Sequence, residues 1–283
     1  MIMIEIAGRD RIEELKDIWR VCFDDSEEYI DFFMEHAFDA AVAVAYICDE
    51  KAVGAAYLFP CVIGRAGTRA YYWYAIGVLP DYRKKGIFSE MVDFLLALGR
   101  REGRKSFCFA MPELRGFYSS KGLDQFYYSV EVHFGRTEDV LNLGTSCDMP
   151  DGIQREELSA KEYGILRREA FLNRDYIRWE DDYLAYAIKE KRFCQGICDK
   201  LLAGNKTYAV IGEIQEQRLN IEETTMNCRE LQAFSNQLCR LYGVSDIYAQ
   251  IPDFFMYGTD YNRKFSGLGN MGAANVWIAL TLL

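Results

Sequence analysis

No stretch of this sequence is apolar for long enough to cross a bilayer: the longest run, Ala40 to Cys48, falls far short of the about 20 residues a spanning helix needs. No membrane partner is therefore expected. Histidine is nearly absent, with only His36 and His133, and the closest cysteine pair, Cys194 and Cys198, lacks the neighbours that would complete a metal site. Basic residues are in deficit, 33 against 43 acidic ones for a net charge of −10. This argues against nucleic acid as a partner, because such binders displace counterions with clustered Lys and Arg. Cationic small molecules or basic peptides are favoured instead. The opening residues MIMIEIAGRD carry neither a basic n-region nor an apolar h-region, so a cytoplasmic location is expected. In that compartment the nine scattered cysteines read as reduced and mostly buried thiols.

What is present is core material. The 283 residues are 50% hydrophobic, which suits two medium domains. Apolar residues at helical spacing predict a helix over Ile12–Cys22, and Ser26 caps a second one carrying Tyr29, Ile30 and Phe33. β-rich runs over Val42–Cys48 and Ala52–Ile63, divided by the polar turn Asp49-Glu50-Lys51, predict a hairpin. Tyr71–Val78 is a further strand. After Pro80 the apolar stripe Ile87, Met91, Val92, Leu95 and Leu98 predicts a helix to Arg101, and Ser106–Ala110 is the next strand. The order strand, helix, strand implies a parallel crossover.

The segment between that strand and helix is the most informative. Arg83, Lys84, Lys85 and Gly86 form a turn that feeds a helix at once, aiming backbone N–H groups and the positive helix end at one point, as an anion site requires. Gly86 permits close approach of a phosphate. Val78-x-Pro80-x-x-Arg83-x-x-Gly86 resembles the acetyl-CoA motif of GCN5-related N-acetyltransferases (GNAT). The longer phrase Tyr72 to Ile87 resembles tandem acetyltransferases of the enhanced-intracellular-survival type, with Phe88 where the wider family has a small residue. A second stretch, Phe117-Tyr118-Ser119-Ser120-Lys121-Gly122-Leu123, resembles the family helix whose tyrosine sits beside the coenzyme sulfur.

The resemblance implies two tandem acyl-CoA N-acyltransferase domains with mixed central sheets flanked by helices, an α+β or α/β class. It implies acetyl-CoA as co-substrate, held by Ile76, Gly77, Val78, Arg83, Lys84, Lys85, Gly86, Ile87 and Phe88, with acetyl transfer to a primary amine of a small molecule or peptide. Tyr118 is then the general acid and the Val78 N–H the oxyanion donor. In the tandem group the C-terminal carboxylate, here that of Leu283, serves as base or substrate anchor; Glu113 and Glu35 are other candidates. A non-catalytic acyl-CoA sensor and an aminoacyl-tRNA-dependent transferase are the alternatives, and assembly into a homo-oligomer stays open.

The stretch Leu143 to Gly152, rich in Gly, Pro and Asp, reads as a linker between an active domain, 1–146, and a second one, 153–283. There the order repeats. A capping box, Ser159-x-x-Glu162, opens one helix and Asp175–Lys189 reads as another. Strands Cys194–Leu202, Thr207–Ile214 and Leu219–Thr225, a helix from Asn227 and the strand Asp246–Ile251 follow, with a terminal strand over Asn275–Leu283. No glycine-bearing basic turn follows Thr225, so the second domain reads as a degenerate copy that binds no coenzyme.

Overall fold

A computed structural model describes residues 2–125, 128–135, 152–256, 263–265 and 267–271. The chain runs through strand β1 (Ile2–Ile6), helices α1 (Ile12–Cys22) and α2 (Glu27–His36), strands β2 (Val42–Cys48), β3 (Lys51–Ile63) and β4 (Thr68–Val78), helix α3 (Ile87–Arg101) and strand β5 (Lys105–Cys108). A short helix α4 (Arg115–Ser120) and strands β6 (Asp124–Gln125), β7 (Tyr128–Gly135) and β8 (Gln154–Glu157) come next, then α5 (Ala160–Ala170), β9 (Ile177–Trp179) and α6 (Asp181–Phe193). The remainder is β10 (Ile197–Ala203), β11 (Lys206–Gln215), β12 (Arg218–Thr224), α7 (Cys228–Tyr242), β13 (Asp246–Ile251), β14 (Arg263–Phe265) and β15 (Leu268–Gly269).

These elements form two compact units. Among the described residues the first holds 2–125, Ile177–Tyr183 and 267–271, and the second holds 128–135, 152–176, 184–256 and 263–265. Each is built on one mixed sheet. The first sheet has the order β1-β2-β3-β4-β5-β15-β6, with β9 added beside β3; the second has the order β14-β7-β13-β12-β11-β10-β8. Pairing is antiparallel in both except for one parallel pair each, β4 with β5 and β12 with β13. A helix bridges each of those pairs, α3 in the first unit and α7 in the second, so the two units share the fold expected of an acyltransferase and of its degenerate copy.

The local signals explain most of this. Leu15, Ile18 and Trp19 form the buried stripe of α1, and the Ser26 hydroxyl accepts from the Tyr29 N–H to cap α2. The stripe of α3 is buried as Ile87, Met91, Val92, Leu95 and Leu98. Close approach of α3 to the sheet requires Gly54: a Cβ there would lie 2.7 Å from the Met91 sulfur. Cys61, Cys108 and Cys198 are buried, and desolvation pushes the Cys108 and Cys198 thiols up to about 12.

The structure adds one element and corrects two expectations. A strand, β1, precedes the two helices and pairs with β2 from Ile2↔Cys48 to Ile6↔Val44. The helix expected over Asp175–Lys189 begins only at Asp181, because Ile177–Trp179 is extended and pairs with Cys61–Ile63 of β3. The units are also not separated by one cut near 147–152. The first sheet takes β9 and β15 from the second half of the sequence, with β15 hydrogen-bonded between β5 and β6. Most of the expected linker, and the expected terminal strand over Asn275–Leu283, lie outside the described residues. A chain truncated after Gln125 is accordingly expected to lose cooperative thermal unfolding, since Leu268 and Trp179 leave its core. A sharp calorimetric transition in that fragment would contradict the shared-strand arrangement.

Candidate active site

Strands β4 and β5 run side by side only from Ala70↔Lys105 to Trp73↔Cys108. Beyond that, β4 stays on β3 as far as Gly54↔Val78, so a gap opens between β4 and β5. A bulge deepens it: the β3–β4 register shifts between Ala55 and Tyr57, and Ala75 adopts a left-handed φ of 47°. The Leu79 N–H donates to the Val53 carbonyl at 2.9 Å. By the alternation of a strand, the Val78 N–H therefore points away from β3, into the gap.

The turn after β4 brings a helix end to the same place. Gly86 is the N-cap of α3 at φ 85°, and no side chain caps the helix. The first intrahelical bond runs from the Glu90 N–H to the Gly86 carbonyl at 3.0 Å. The amides of Ile87, Phe88 and Ser89 precede it and have no partner within the helix. Arg83 fixes the turn, its Nε donating to the Val78 carbonyl at 2.8 Å. In the first turn of α3 the Glu90 Oε2 accepts from the Tyr46 hydroxyl at 2.8 Å, and desolvation followed by this carboxylate pushes the phenol up to about 12.

A cavity of about 570 Å³ occupies the gap. Of the residues expected to hold the coenzyme, Ile76, Gly77, Val78, Arg83, Lys84, Gly86, Ile87 and Phe88 all line it. Lys85 does not line it; its ammonium lies 5.1 Å from the centroid of the Tyr82 ring. Cys22, Phe23, Met111 and Phe117 also line the cavity, and sequence reasoning missed them. A hint existed in Gly77, a glycine inside an aromatic strand, which signals close approach of another segment.

Tyr118 stands just behind this wall. It is 4% exposed within the core that includes Trp73, Val78 and Cys108, and its ring meets that of cavity-lining Phe88 edge-on at 6.1 Å. Burial, with a smaller contribution from Cys108, raises its phenol well above the ordinary value near 10. Glu113 and Glu35 are both exposed and line no part of the cavity, and Leu283 lies outside the described residues.

The equivalent position of the second unit is closed. The Asn227 side chain caps α7 by accepting from the Glu230 N–H, and Glu230 returns the bond to the Asn227 N–H. Lys206 and Tyr208 hold the same carboxylate at 2.7 and 2.9 Å. A protein anion thus occupies the helix end that α3 leaves open.

The first unit thus sets a strand fork beside an open helix N-terminus. Residues 4–126 match the acetyltransferase (GNAT) domain family, so the first unit is a GNAT domain. No curated protein matches the sequence. Solved structures extend the likeness over nearly the whole chain. A conserved protein of unknown function from Enterococcus faecalis V583 superposes with a TM-score of 0.71 at 16% identity, over 95% of this chain and 72% of that one. A GCN5-related N-acetyltransferase from Kribbella flavida gives 0.67 at 14% over 95% and 70%, and Eis1 from Mycobacterium abscessus gives 0.61 at 13% over 88% and 65%. At such identities the likeness is one of fold, and it spans both units.

Proposed function

We propose that the chain is an acetyl-CoA-dependent N-acetyltransferase acting on a cationic primary amine by direct attack within a ternary complex. The observation that carries this reading is the uncapped N-terminus of α3 opening on the β4–β5 gap, whereas α7 is closed by its Asn227–Glu230 capping box. The residues present fit the coenzyme: the Ile87, Phe88 and Ser89 amides with Lys84 suit a diphosphate, and the apolar wall of Ile76, Phe88 and Phe117 suits the pantetheine arm. When bound, acetyl-CoA supplies an acyl thioester. The Val78 N–H then stabilises the oxyanion that forms as the amine nitrogen attacks the carbonyl carbon. The carbon–sulfur bond breaks, and the proton lost by the amine is returned to sulfur.

Tyr118 assists the departure of that sulfur. Because its phenol is a weaker acid than usual, it acts as a neutral hydrogen-bond donor to the departing sulfur, whose thiol pKa is near 8.5. The acceptor is taken to be cationic because the exposed acidic run Asp24, Asp25, Glu27 and Glu28 follows directly on cavity-lining Cys22 and Phe23.

The test is thiol release from acetyl-CoA with a panel of aminoglycosides, polyamines and basic peptides, with products identified by mass. Tyr118→Phe is expected to lower kcat about 100-fold while leaving coenzyme affinity unchanged. The wild-type kcat should climb with pH as the acceptor ammonium loses its proton. It should show no downward break near pH 10, since Tyr118 stays protonated there. Coenzyme binding without thiol release for any amine, or a break near pH 10 that Tyr118→Phe removes, would overturn the reading.

A further inference from the structure

The far end of the cavity, at the C-terminus of α1, has a wall of its own. A Cβ built on Gly77 would lie 3.0 Å from the Cys22 Cβ, 3.1 Å from its sulfur and 3.1 Å from Cε2 of Phe23. These two residues therefore seat against the β4 backbone one position before the Val78 amide. Both are braced. Arg83 Nη2 donates to the Cys22 sulfur at 3.7 Å. The Phe23 ring meets Trp19 edge-on at 5.8 Å, and Trp19 is 1% exposed with its indole N–H held by Asp25 at 2.8 Å.

Cys22 and Phe23 thus close the cavity beside the residue that precedes the Val78 amide. We propose that Cys22 and Phe23 set the acyl-chain length, admitting an acetyl group and rejecting longer acyl thioesters. This rests on the acetyltransferase reading above and adds its donor specificity. A packed apolar wall can discriminate at about tenfold or more per added methylene. A braced ring discriminates better than a mobile one, because it cannot swing aside to admit the longer chain.

The test is kcat/KM for acetyl-, propionyl-, butyryl- and hexanoyl-CoA with one amine acceptor, beside the affinity for free CoA, which carries no acyl group. The wild type is expected to use hexanoyl-CoA at least about 100-fold less well than acetyl-CoA. Phe23→Ala should raise the hexanoyl-to-acetyl ratio at least about tenfold with the affinity for free CoA within twofold of wild type. Cys22→Leu narrows the same space and should lower turnover of acetyl-CoA itself at unchanged affinity for free CoA. A wild type indifferent to chain length, or a folded Phe23→Ala protein with the wild-type profile, would overturn the assignment and leave the acetyltransferase reading standing. No CoA binding, or no transfer from any thioester, would overturn both.

Discussion

Replacing Gly86 by Glu is expected to abolish coenzyme binding while leaving the protein folded. The backbone at Gly86 has φ 85°, and a Cβ there would meet nothing nearer than Glu90 Oε1 at 3.8 Å. The substitution therefore causes no clash, and its conformational cost is the roughly 1–2 kcal/mol of a left-handed residue with a side chain. That corresponds to a fall in Tm of about 2–8 °C. The new carboxylate, however, stands at the amides of Ile87, Phe88 and Ser89. It can accept from them, and it repels a diphosphate in either case. An affinity loss of at least about 100-fold is expected by calorimetry, together with loss of the thermal shift on adding acetyl-CoA. Gly86→Ala carries the strain without the charge and should retain binding within about tenfold. Because α7 is already capped, the wild type should bind one coenzyme per chain and the Glu variant none. Normal binding by the Glu variant would remove α3 from the site.

The two units show how one topology can leave a helix N-terminus open or close it. Both have a parallel pair bridged by a helix, and both have a strand that outruns its parallel partner, β4 past Trp73 and β12 past Ile221. What differs is chemistry within a few residues. Both strands also carry a bulge against their antiparallel neighbour, but the turn after β4 ends in a left-handed glycine that leaves its helix uncapped. In the second the chain passes from β12 to α7 through Thr225, Met226 and Asn227, with Thr225 and Met226 buried and Asn227 serving as the cap. The strand-helix-strand arrangement is common to both, so the anion site follows from the turn and the cap.

That explains what could be read in advance. Gly86 and the basic turn were legible because a positive-φ glycine directly ahead of an apolar stripe is a local signal. The capping boxes of α5 and α7 were legible for the same reason. Cys22 and Phe23 were not, since they reach the site from more than fifty positions away through packing against Gly77. The strand Ile177–Trp179 was hidden similarly. Its alternation of buried, exposed and buried residues is too short to outweigh the helical pattern after it, and only the edge of β3 that β2 leaves open makes it a strand. Tyr118 was identified by resemblance, but its burial, which determines its protonation, depends on Trp73, Val78, Leu123 and Leu268 from four other places in the sequence.

The second unit carries the largest expected effect on stability. In the stretch of β12 beyond its last parallel pair, Glu223 is fully buried and accepts from the Tyr163 hydroxyl and from Arg167 Nε, the latter at 2.7 Å. Arg167 is itself 2% exposed, and its guanidinium lies over the rings of Phe171 and Tyr176 at 5.4 and 5.1 Å. Burial opposes its charge, but Glu223 and the surrounding hydroxyls outweigh that and hold its pKa above the usual value. It therefore cannot shed its proton to escape an uncompensated site. Glu223→Gln keeps the shape and an acceptor oxygen but removes the balancing charge, and should cost about 3–5 kcal/mol, read as a lower urea midpoint at unchanged slope. Tyr163→Phe, Arg167→Met and Glu223→Leu made together remove both buried charges and the hydroxyl bonded to them. That triple variant should recover most of the loss. If it proves no more stable than Glu223→Gln, the network holds the second unit together by more than mutual charge compensation. If Glu223→Gln costs nothing, Arg167 finds its balance elsewhere and the cluster is not the electrostatic centre of this unit.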